Sequence, residues 1–573
     1  MILFLSCFFE LAGQGGAAPA TPSTPSKPVS RPHVLLICVD DLKPLLGCYG
    51  ARLVRSPHID KFAGQATRFD AAYCNQAVCA PSRNSLLTGF RPQTLGIYDL
   101  GTNFRLSQVK TVTLPQYFMA NGYQAQSLGK IFHVGHGNTN DADSWSVPSF
   151  PGKVVDYVLP ANQRELTREE ALFDNKSGAN LPRGAATESA EVPDDAYSDG
   201  KVAREAIRRM TKAGKHPDQP VFLAVGFLKP HLPFCAPKKY WDLYKAGDFA
   251  LPSILKAPAG APPFAPTHFG ELRNYRDIPE KGEFSEELQR RLIHGYHAAV
   301  SYMDSQVGLL LEALEASPMR DNTVVILWGD HGWHLGDHGM WCKHTNYEQA
   351  ARIPLIVRIP GQKVPVVSRS MVESVDVYPT LCRLAGLPPP LGLDGQSFHG
   401  ALPGSWDPEE LPVPRQSVTH VFPRGQTLGR AIRTPTHRLV EWKTIGAAAD
   451  TAQIELYDYA SDALETKNRA SEQPETVARL RAILAKQPEA TPQVKRAPGK
   501  KVAGQEPGTD RKALFARKDK NNDGKLTLEE FLAGQVDPDK APDRFRRFDV
   551  NGDGELSQPE FMEMGKLSPG DRH

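Results

Sequence analysis

Cys79-Ala80-Pro81-Ser82-Arg83 places a nucleophile, a rigid turn residue and a cation within five positions. Proline fixes its own φ and disfavours helix in the residue before it, so the spacing predicts a rigid turn over Cys79 to Pro81 that feeds a helix starting near Ser82. The sulfur then sits at the positive end of a helix, where anions are favoured. Arg83 lies one turn on, where it can pair with an anion or hold the loop. Two further pairs share the chemistry. Asp40-Asp41 closes the apolar run His33–Val39, and Asp330-His331 follows the apolar run Thr323–Trp328. Adjacent residues of a strand point to opposite faces, so both aspartates can serve one cation only if the chain bends at the strand end. Hard oxygen ligands of this kind suit calcium or magnesium, whereas a transition metal favours more imidazole. Gly129-Lys130-Ile131-Phe132-His133, Lys229-Pro230-His231 and Lys343 add cations and proton carriers. Singly, a cysteine is more often a buried thiol, an acid a cap and a histidine a structural residue. Four metal-type side chains flanking one nucleophile motif reverse that weighting.

The run Gln76–Gly89 that contains these five residues resembles the signature of the type I sulfatases, in which the cysteine is oxidised after translation to formylglycine. The likeness continues in Asp40-Asp41-Leu42-Lys43-Pro44 with Gly47-Cys48-Tyr49-Gly50, in Lys229-Pro230-His231 with Pro233-Phe234, and in Asp330-His331-Gly332-Trp333 with Leu335-Gly336. It is strongest to the iduronate-2-sulfatase branch, which carries histidine at the place of His331 where other members often carry asparagine. It spans residues 31 to 470 and is weakest from Asp141 to Asp195. An aldehyde hydrates to a geminal diol, so one oxygen can attack sulfur while the other gives a route for releasing sulfate; a serine could do only the first. The resemblance implies one calcium ion held by Asp40, Asp41, the modified Cys79, Asp330 and His331. It further implies that Lys130, Lys343 and Arg83 offset charge on the sulfuryl oxygens, that His231 with Lys343 protonates the leaving alkoxide, and that His133 takes a proton from the second hydroxyl. The implied partners are a formylglycine-generating maturation enzyme and a sulfated sugar or polysaccharide, a 2-sulfated uronic acid among the candidates. Two alternatives stay open: a phosphate or phosphonate ester hydrolase of the same fold, and an inactive calcium-dependent glycan-binding protein.

Elements must position these residues. His33–Val39, Val221–Gly226, Thr323–Trp328 and Ile353–Val357 read as buried strands, and Leu288–Leu314 as a helix, an alternation that predicts a doubly wound α/β sheet with the site at the strand carboxyl ends. The resemblance makes this the alkaline-phosphatase-like sulfatase fold over residues 31–404. After Gly404, short strands at 431–433, 437–442 and 455–458 and a helix over 474–486 predict a small antiparallel subdomain over residues 405–486. Residues 487–509, rich in Pro, Gly, Ala, Lys and Gln, read as a flexible linker. Residues 1–20 read as a secretory signal peptide, which with the absence of any later membrane-length apolar run points to a soluble, periplasmic or secreted protein. The eight cysteines are too sparse and irregular for a disulfide scaffold, and no CxxC pair suggests zinc. Lys plus Arg number 67 against 65 Asp plus Glu, which argues against nucleic acid as a partner selected by bulk charge.

The tail, residues 510–573, carries a second chemistry. Asp519, Asn521, Asp523, Thr527 and Glu530 stand at positions 1, 3, 5, 9 and 12 of a loop with Gly524 at 6, and Lys525 at 7 offers its carbonyl. Asp549, Asn551, Asp553, Glu555, Ser557 and Glu560 repeat the pattern around Gly554, beginning 30 residues later. Two tandem loops of this form predict an α-helical EF-hand pair binding two calcium ions. Their expected role is stabilisation in a calcium-rich exterior; the sequence indicates no target for a sensor.

Overall fold

A computed structural model describes residues 31–495 apart from 405, residues 515–533 apart from 517 and 522, and residues 541–563 apart from 550. The signal segment 1–20 and residues 496–509 of the expected linker lie outside the described residues.

Seven strands form the central sheet: β1 (His33–Val39), β2 (Thr67–Tyr73), β3 (Gln124–Gly129), β4 (Val221–Phe227), β5 (Thr323–Gly329), β6 (Leu355–Arg358) and β7 (Val366–Glu373), in the order β7-β2-β6-β5-β1-β4-β3. The three strands that carry or flank the motifs, β5, β1 and β4, pair in parallel at the centre. Alternate residues of β1 serve opposite faces, as period two requires. Leu35, Ile37 and Val39 meet Val202 and Met210 of α2 (Ser198–Ala213) and Tyr296 and Met303 of α3 (Glu286–Glu315). Val34, Leu36 and Cys38 meet Leu86 and Leu87 of α1 (Cys79–Thr88) and Leu381 of α4 (Val377–Leu384). Helices thus cover both faces, as expected. α3 extends two residues earlier than its apolar pattern because Ser285 caps it, accepting from the Leu288 amide, and Glu286 and Glu287 follow in the first turn.

The sheet departs from the expectation at β6, which runs antiparallel to both β5 and β2. The chain leaves the carboxyl end of β5 through the loop 330–354 and re-enters from that same end. A parallel return would need a crossover carrying it back across the sheet.

After residue 417 the chain builds β8 (Val418–Arg424), β9 (Thr427–Arg433), β10 (His437–Thr444) and β11 (Gln453–Asp458), an antiparallel sheet against which α5 (Pro474–Leu484) packs Leu480 and Leu484. Its first strand has no counterpart in the sequence reading. The start of the expected linker is also different: the Thr491 amide donates to Gln93 O at 2.8 Å, the Val494 amide to Gly96 O at 2.7 Å, and the Tyr98 hydroxyl to Thr491 O at 2.7 Å. With Ala490 buried beside Tyr98, Val421 and Leu428, residues 490–494 are a strap on the core rather than free chain. The described cysteines are all free thiols, and among the described residues no helix is long and apolar enough to cross a membrane.

The tail's two loops pair through β12 (Lys525–Thr527) and β13 (Glu555–Ser557), with Leu526 opposite Leu556 over a core of Phe515, Phe531, Phe545 and Phe561. Within each loop the position-1 carboxylate, Asp519 or Asp549, accepts from the amides at positions 5 and 6, and Glu530 or Glu560 folds back onto the position-9 residue.

The four-stranded sheet has a specific hold on the loop that follows β5. Arg438 of β10 is fully buried and donates to Glu348 at 2.7 Å and Glu465 at 2.6 Å; the Glu348 amide in turn donates to Glu465 at 2.9 Å. Beside this, Asn346 donates to Gly429 O and the Tyr347 hydroxyl to Glu455. Residues 346–348 are therefore fixed from outside the central sheet. Replacing Arg438 by Leu leaves the buried Glu465 without its cation and Glu348 with Arg433, so we expect a loss of about 3–5 kcal/mol in denaturant unfolding. A loss under about 1 kcal/mol would show that the network does not couple the sheet to that loop.

Candidate active site

β1 stops at Val39, and the chain bends as the sequence requires: Asp41 has φ 60°, in the left-handed region, and its amide donates to Asp330 Oδ1 at 2.9 Å. The two acidic strand ends are thereby tied together. α1 begins at Cys79, three residues earlier than expected, with Val78 extended before it. The proline rule permits this, because Pro81 falls in the first turn, where no intrahelical donor is needed. Cys79 thus lies inside the helix N-terminus rather than in a turn ahead of it. Ser82 Oγ bonds Asp330 O and anchors the helix to the end of β5.

Arg83 holds the site together from behind. It is fully buried and its three nitrogens engage Asp330 Oδ2 (2.9 Å), Asp40 Oδ1 (3.0 Å), Lys130 O and Ile131 O (3.2 Å). In this geometry all three nitrogens go to the chain's own carboxylates and carbonyls, so Arg83 ties the loop ends together. Lys130 Nζ bonds Asp40 Oδ2 and approaches Cys79 Sγ at 3.6 Å. It reaches there because β3 and β4 end in close contact: a Cβ on Gly226 would lie 2.2 Å from Lys130 O, a place for glycine alone. Lys343 Nζ donates to Asp41 Oδ1 at 2.9 Å and Oδ2 at 3.1 Å.

Four candidate ligand atoms, from Asp40, Asp41, Cys79 and His331, lie within 4.8 Å of one another, all buried. Asp330 stands beside them, but its oxygens are taken by the amides of Asp41 and His331 and by Arg83, so it braces the set at present rather than facing its centre. Burial works to raise the pKa of Asp40, yet Lys130 and then Arg83 outweigh it and hold the carboxylate well below its ordinary range. Burial, then Asp40, pushes Asp330 up to about 7. Burial likewise raises the Cys79 thiol well above its usual value, so the unmodified side chain is a protonated thiol and not an activated thiolate.

His331 tests whether a cation fits. Its Nδ1 faces the Gly332 carbonyl at 3.0 Å, which accepts only, so the proton is there and Nε2 is a bare lone pair. That lone pair faces Asp41 Oδ1 at 3.3 Å and Cys79 Sγ at 3.4 Å. The Cys79 S–H can donate to that lone pair, but lone pair against carboxylate is unfavourable and a cation between them would relieve it; burial keeps His331 neutral, with its pKa lowered to about 4. The donor set fits a divalent cation.

The remaining expected residues meet at the same pocket with different partners. His133 Nε2 contacts His136 Nδ1 at 3.2 Å, while its buried Nδ1 has no hydrogen-bond partner. Burial and then Lys130 hold its pKa well below the ordinary value, leaving it in the base form. His231 Nδ1 faces Leu232 O. Lys229 points elsewhere, bonding the carbonyls of His231 and Pro233 at 2.7 Å each, and so shapes the loop that presents His231.

Three residues escaped the sequence reading. Glu271 lies 3.2 Å from His231 Nε2 and 2.9 Å from Lys343 Nζ. Phe173 sets its ring edge-on to His136 and His231 and beneath Lys130. His136, at φ 59°, lines a cavity of about 520 Å³ with Asp99, Gly101, Leu172, Asn175 and Lys176. Phe173 ends the short helix Arg168–Phe173, opened by a Thr167–Glu170 capping box, and Glu271 precedes the turn Leu272–Asn274; neither position carries a motif that would mark it as part of the site.

A family model described as Sulfatase matches residues 32–387, one described as N-sulphoglucosamine sulphohydrolase, C-terminal, matches residues 336–490, and EF-hand models match 512–533 and 543–564. The chain is 34% identical over 507 residues to an iduronate 2-sulfatase of Mus musculus, covering 76% of this chain and 90% of that protein. It is 37% identical over 398 residues to the Homo sapiens iduronate 2-sulfatase, covering 64% and 71%. Among solved structures, a phosphonate monoester hydrolase of Agrobacterium radiobacter superposes with TM-score 0.61 at 21% identity over 79% of this chain and 94% of its own. A 2-O GAG sulfatase does so with TM-score 0.56 at 21% identity over 79% and 91%.

Lysine at position 83 keeps one charge but cannot span two carboxylates and two carbonyls. Arg83→Lys is therefore expected to lose about 2–4 kcal/mol in urea unfolding. A change within about 0.5 kcal/mol, the range of ordinary surface substitutions, would remove Arg83 as the organising cation.

Proposed function

Because the chain belongs to the sulfatase family and has its alkaline-phosphatase-like fold, we propose that it removes sulfate from a sulfated sugar, using formylglycine made from Cys79 and one calcium ion. The observation that carries this reading is the meeting, in one buried pocket, of Cys79 at a helix N-terminus with Asp40, Asp41 and the unprotonated Nε2 of His331, and with Lys130 and Lys343. Asp40, Asp41, residue 79 and His331 would hold the cation, and a small turn of Asp330 would add a fifth ligand. Calcium suits a set dominated by carboxylate oxygens. When present, the cation supplies Lewis acidity toward the sulfuryl oxygens and formylglycine supplies two hydroxyls on one carbon.

The side chains of the chain do the rest. Lys130 and Lys343 donate to the sulfuryl oxygens from positions fixed by Asp40 and Asp41, so little reorganisation is needed as charge builds. His231 presents Nε2 to the pocket, 3.2 Å from Glu271, and a second proton held there would go to the ester oxygen. A sugar alkoxide is a poor leaving group, which makes this proton necessary. His133, held in its base form, takes a proton at the unpartnered Nδ1 when sulfate is released. Phe173 and His136 border the pocket on the side of the 520 Å³ cavity, which is where the sugar would lie.

The relatives named iduronate 2-sulfatase support a 2-sulfated uronic acid as the substrate class. Modification of Cys79 requires a formylglycine-generating enzyme as a transient partner. The signal-like segment 1–20 and the EF-hand pair support a periplasmic or secreted location, where calcium would stabilise the tail.

Protein matured with the formylglycine-generating enzyme should hydrolyse a 2-sulfated uronate disaccharide and show the aldehyde in the Cys79 peptide by mass spectrometry. Protein produced without that enzyme should be at least a hundredfold less active. Parallel assays on phosphate monoesters and phosphonate esters separate the rival chemistry: preferential turnover of either would overturn the sulfate-ester assignment.

For the tail, Glu530→Gln and Glu560→Gln each remove the charge that closes one loop. Calorimetric titration should show calcium affinity at the altered loop reduced at least tenfold. Unchanged affinity in both would exclude the loops as calcium sites.

A further inference from the structure

Glu271 is an acid placed among cations that the reaction needs. It stands in the stretch between Trp241 and Glu286, which holds short 3-10 turns, and immediately precedes the turn Leu272–Asn274. Its side chain is 23% exposed, whereas His231 and Lys343 beside it are almost fully buried. Glu271 Oε1 is 3.2 Å from His231 Nε2 and 2.9 Å from Lys343 Nζ; Oε2 is 4.0 Å from His344 Nε2 and has no hydrogen-bond partner.

Counting protons shows what this contact costs. His231 Nδ1 faces the Leu232 carbonyl and donates its proton there, so a proton delivered to the pocket must be a second one, on Nε2 of the imidazolium, and Glu271 Oε1 is the acceptor 3.2 Å from that nitrogen. Lys343 has three protons: its contacts to the two oxygens of Asp41 and to Glu271 account for them. A sulfuryl ester that is to be protonated by His231 and bound by Lys343 needs the protons that Glu271 now accepts. The carboxylate therefore occupies the seat of the ester oxygen, and both cannot be there.

The consequence is selective. A carboxylate entering the seat would exchange one carboxylate for another and gain nothing at Lys343 and His231. A sulfuryl group brings additional oxygens that also reach Lys130 and the Asp40–Asp41–His331 side. We propose that Glu271 sets an affinity threshold at this site: by holding Lys343 and His231 itself, it imposes one displacement cost on every entering anion, which the carboxylate of a uronic acid does not recover and a sulfuryl group does. Its exposed side gives the displaced carboxylate a way to water. The proposal rests on the sulfatase reading above.

The sign of one substitution decides it. Glu271→Gln keeps the shape and removes the competing anion. Full-length, calcium-loaded wild type and variant are titrated calorimetrically with sodium glucuronate and with inorganic sulfate, and a melting curve confirms that the variant is folded. Both ligands should bind the variant at least tenfold more tightly, with glucuronate passing from no measurable binding to binding. Glu271→Asp, too short to reach both cations, should give a smaller gain of the same sign. Unchanged or weaker binding of both ligands by folded variants would overturn the proposal, because a residue that orients Lys343 and His231 for substrate loses affinity when removed. Failure of the sulfatase reading looks different: matured wild type would turn over no sulfate ester, whatever the titrations show.

Discussion

The structure depends on keeping five charged side chains, Asp40, Asp41, Arg83, Lys130 and Lys343, together out of water. Each alone would be too costly to bury; together they satisfy one another through contacts of 2.9–3.1 Å and the Lys130–Asp40 bond. A charge array of that kind is poised to receive an anionic sulfuryl group and a divalent cation, because its field is fixed before either arrives. It also explains why the neighbouring groups titrate unusually. His133 and His331 are kept neutral mainly by burial, and the Cys79 thiol stays protonated.

Each part of the fold can be understood as a means of delivering one of those charges. Parallel β1, β5 and β4 bring the ends at Asp40 and Asp330 and the loop bearing His231 to one edge of the sheet, and the bend at Asp41 turns adjacent carboxylates inward. The contact of Gly226 with the Lys130 carbonyl lets β3 and β4 close tightly enough to aim that lysine. Lys343 depends on a more distant support. The residues just after it are anchored by the antiparallel sheet through Asn346, Tyr347 and Glu348, so the small subdomain helps build the pocket although it contributes none of the charges.

Much of this was legible in the sequence because its signals are local. Apolar runs ending in Asp40-Asp41 and Asp330-His331 announced strand ends, and the spacing of Cys79, Pro81 and Arg83 announced a helix start, misplaced by three residues because Pro81 is as well tolerated in the third position of a helix as in the first. The tandem loops at 519 and 549 were readable for the same reason. What the sequence could not yield was set by tertiary contact. The reversal of β6 follows from which end of the sheet the chain re-enters, and the strap at 490–494 follows from backbone donors that find acceptors 398 residues away, as Val494 finds Gly96. Glu271 lies among turns and Phe173 at the end of a short helix, and only the folded chain shows that one reaches Lys343 and the other Lys130.

The central claim is that the buried charge array seats a cation on one side and a sulfuryl group on the other. A crystal structure of matured, calcium-loaded protein with a bound sulfated saccharide tests it most directly. The account predicts anomalous density for calcium among Asp40, Asp41, residue 79 and His331, with the sulfate within hydrogen-bond distance of Lys130, Lys343 and His231 and Glu271 displaced from the last two. Calcium confined to the two EF-hand loops, with the Lys343–Asp41 and Lys130–Asp40 pairs intact and the sulfate bound elsewhere, would contradict it.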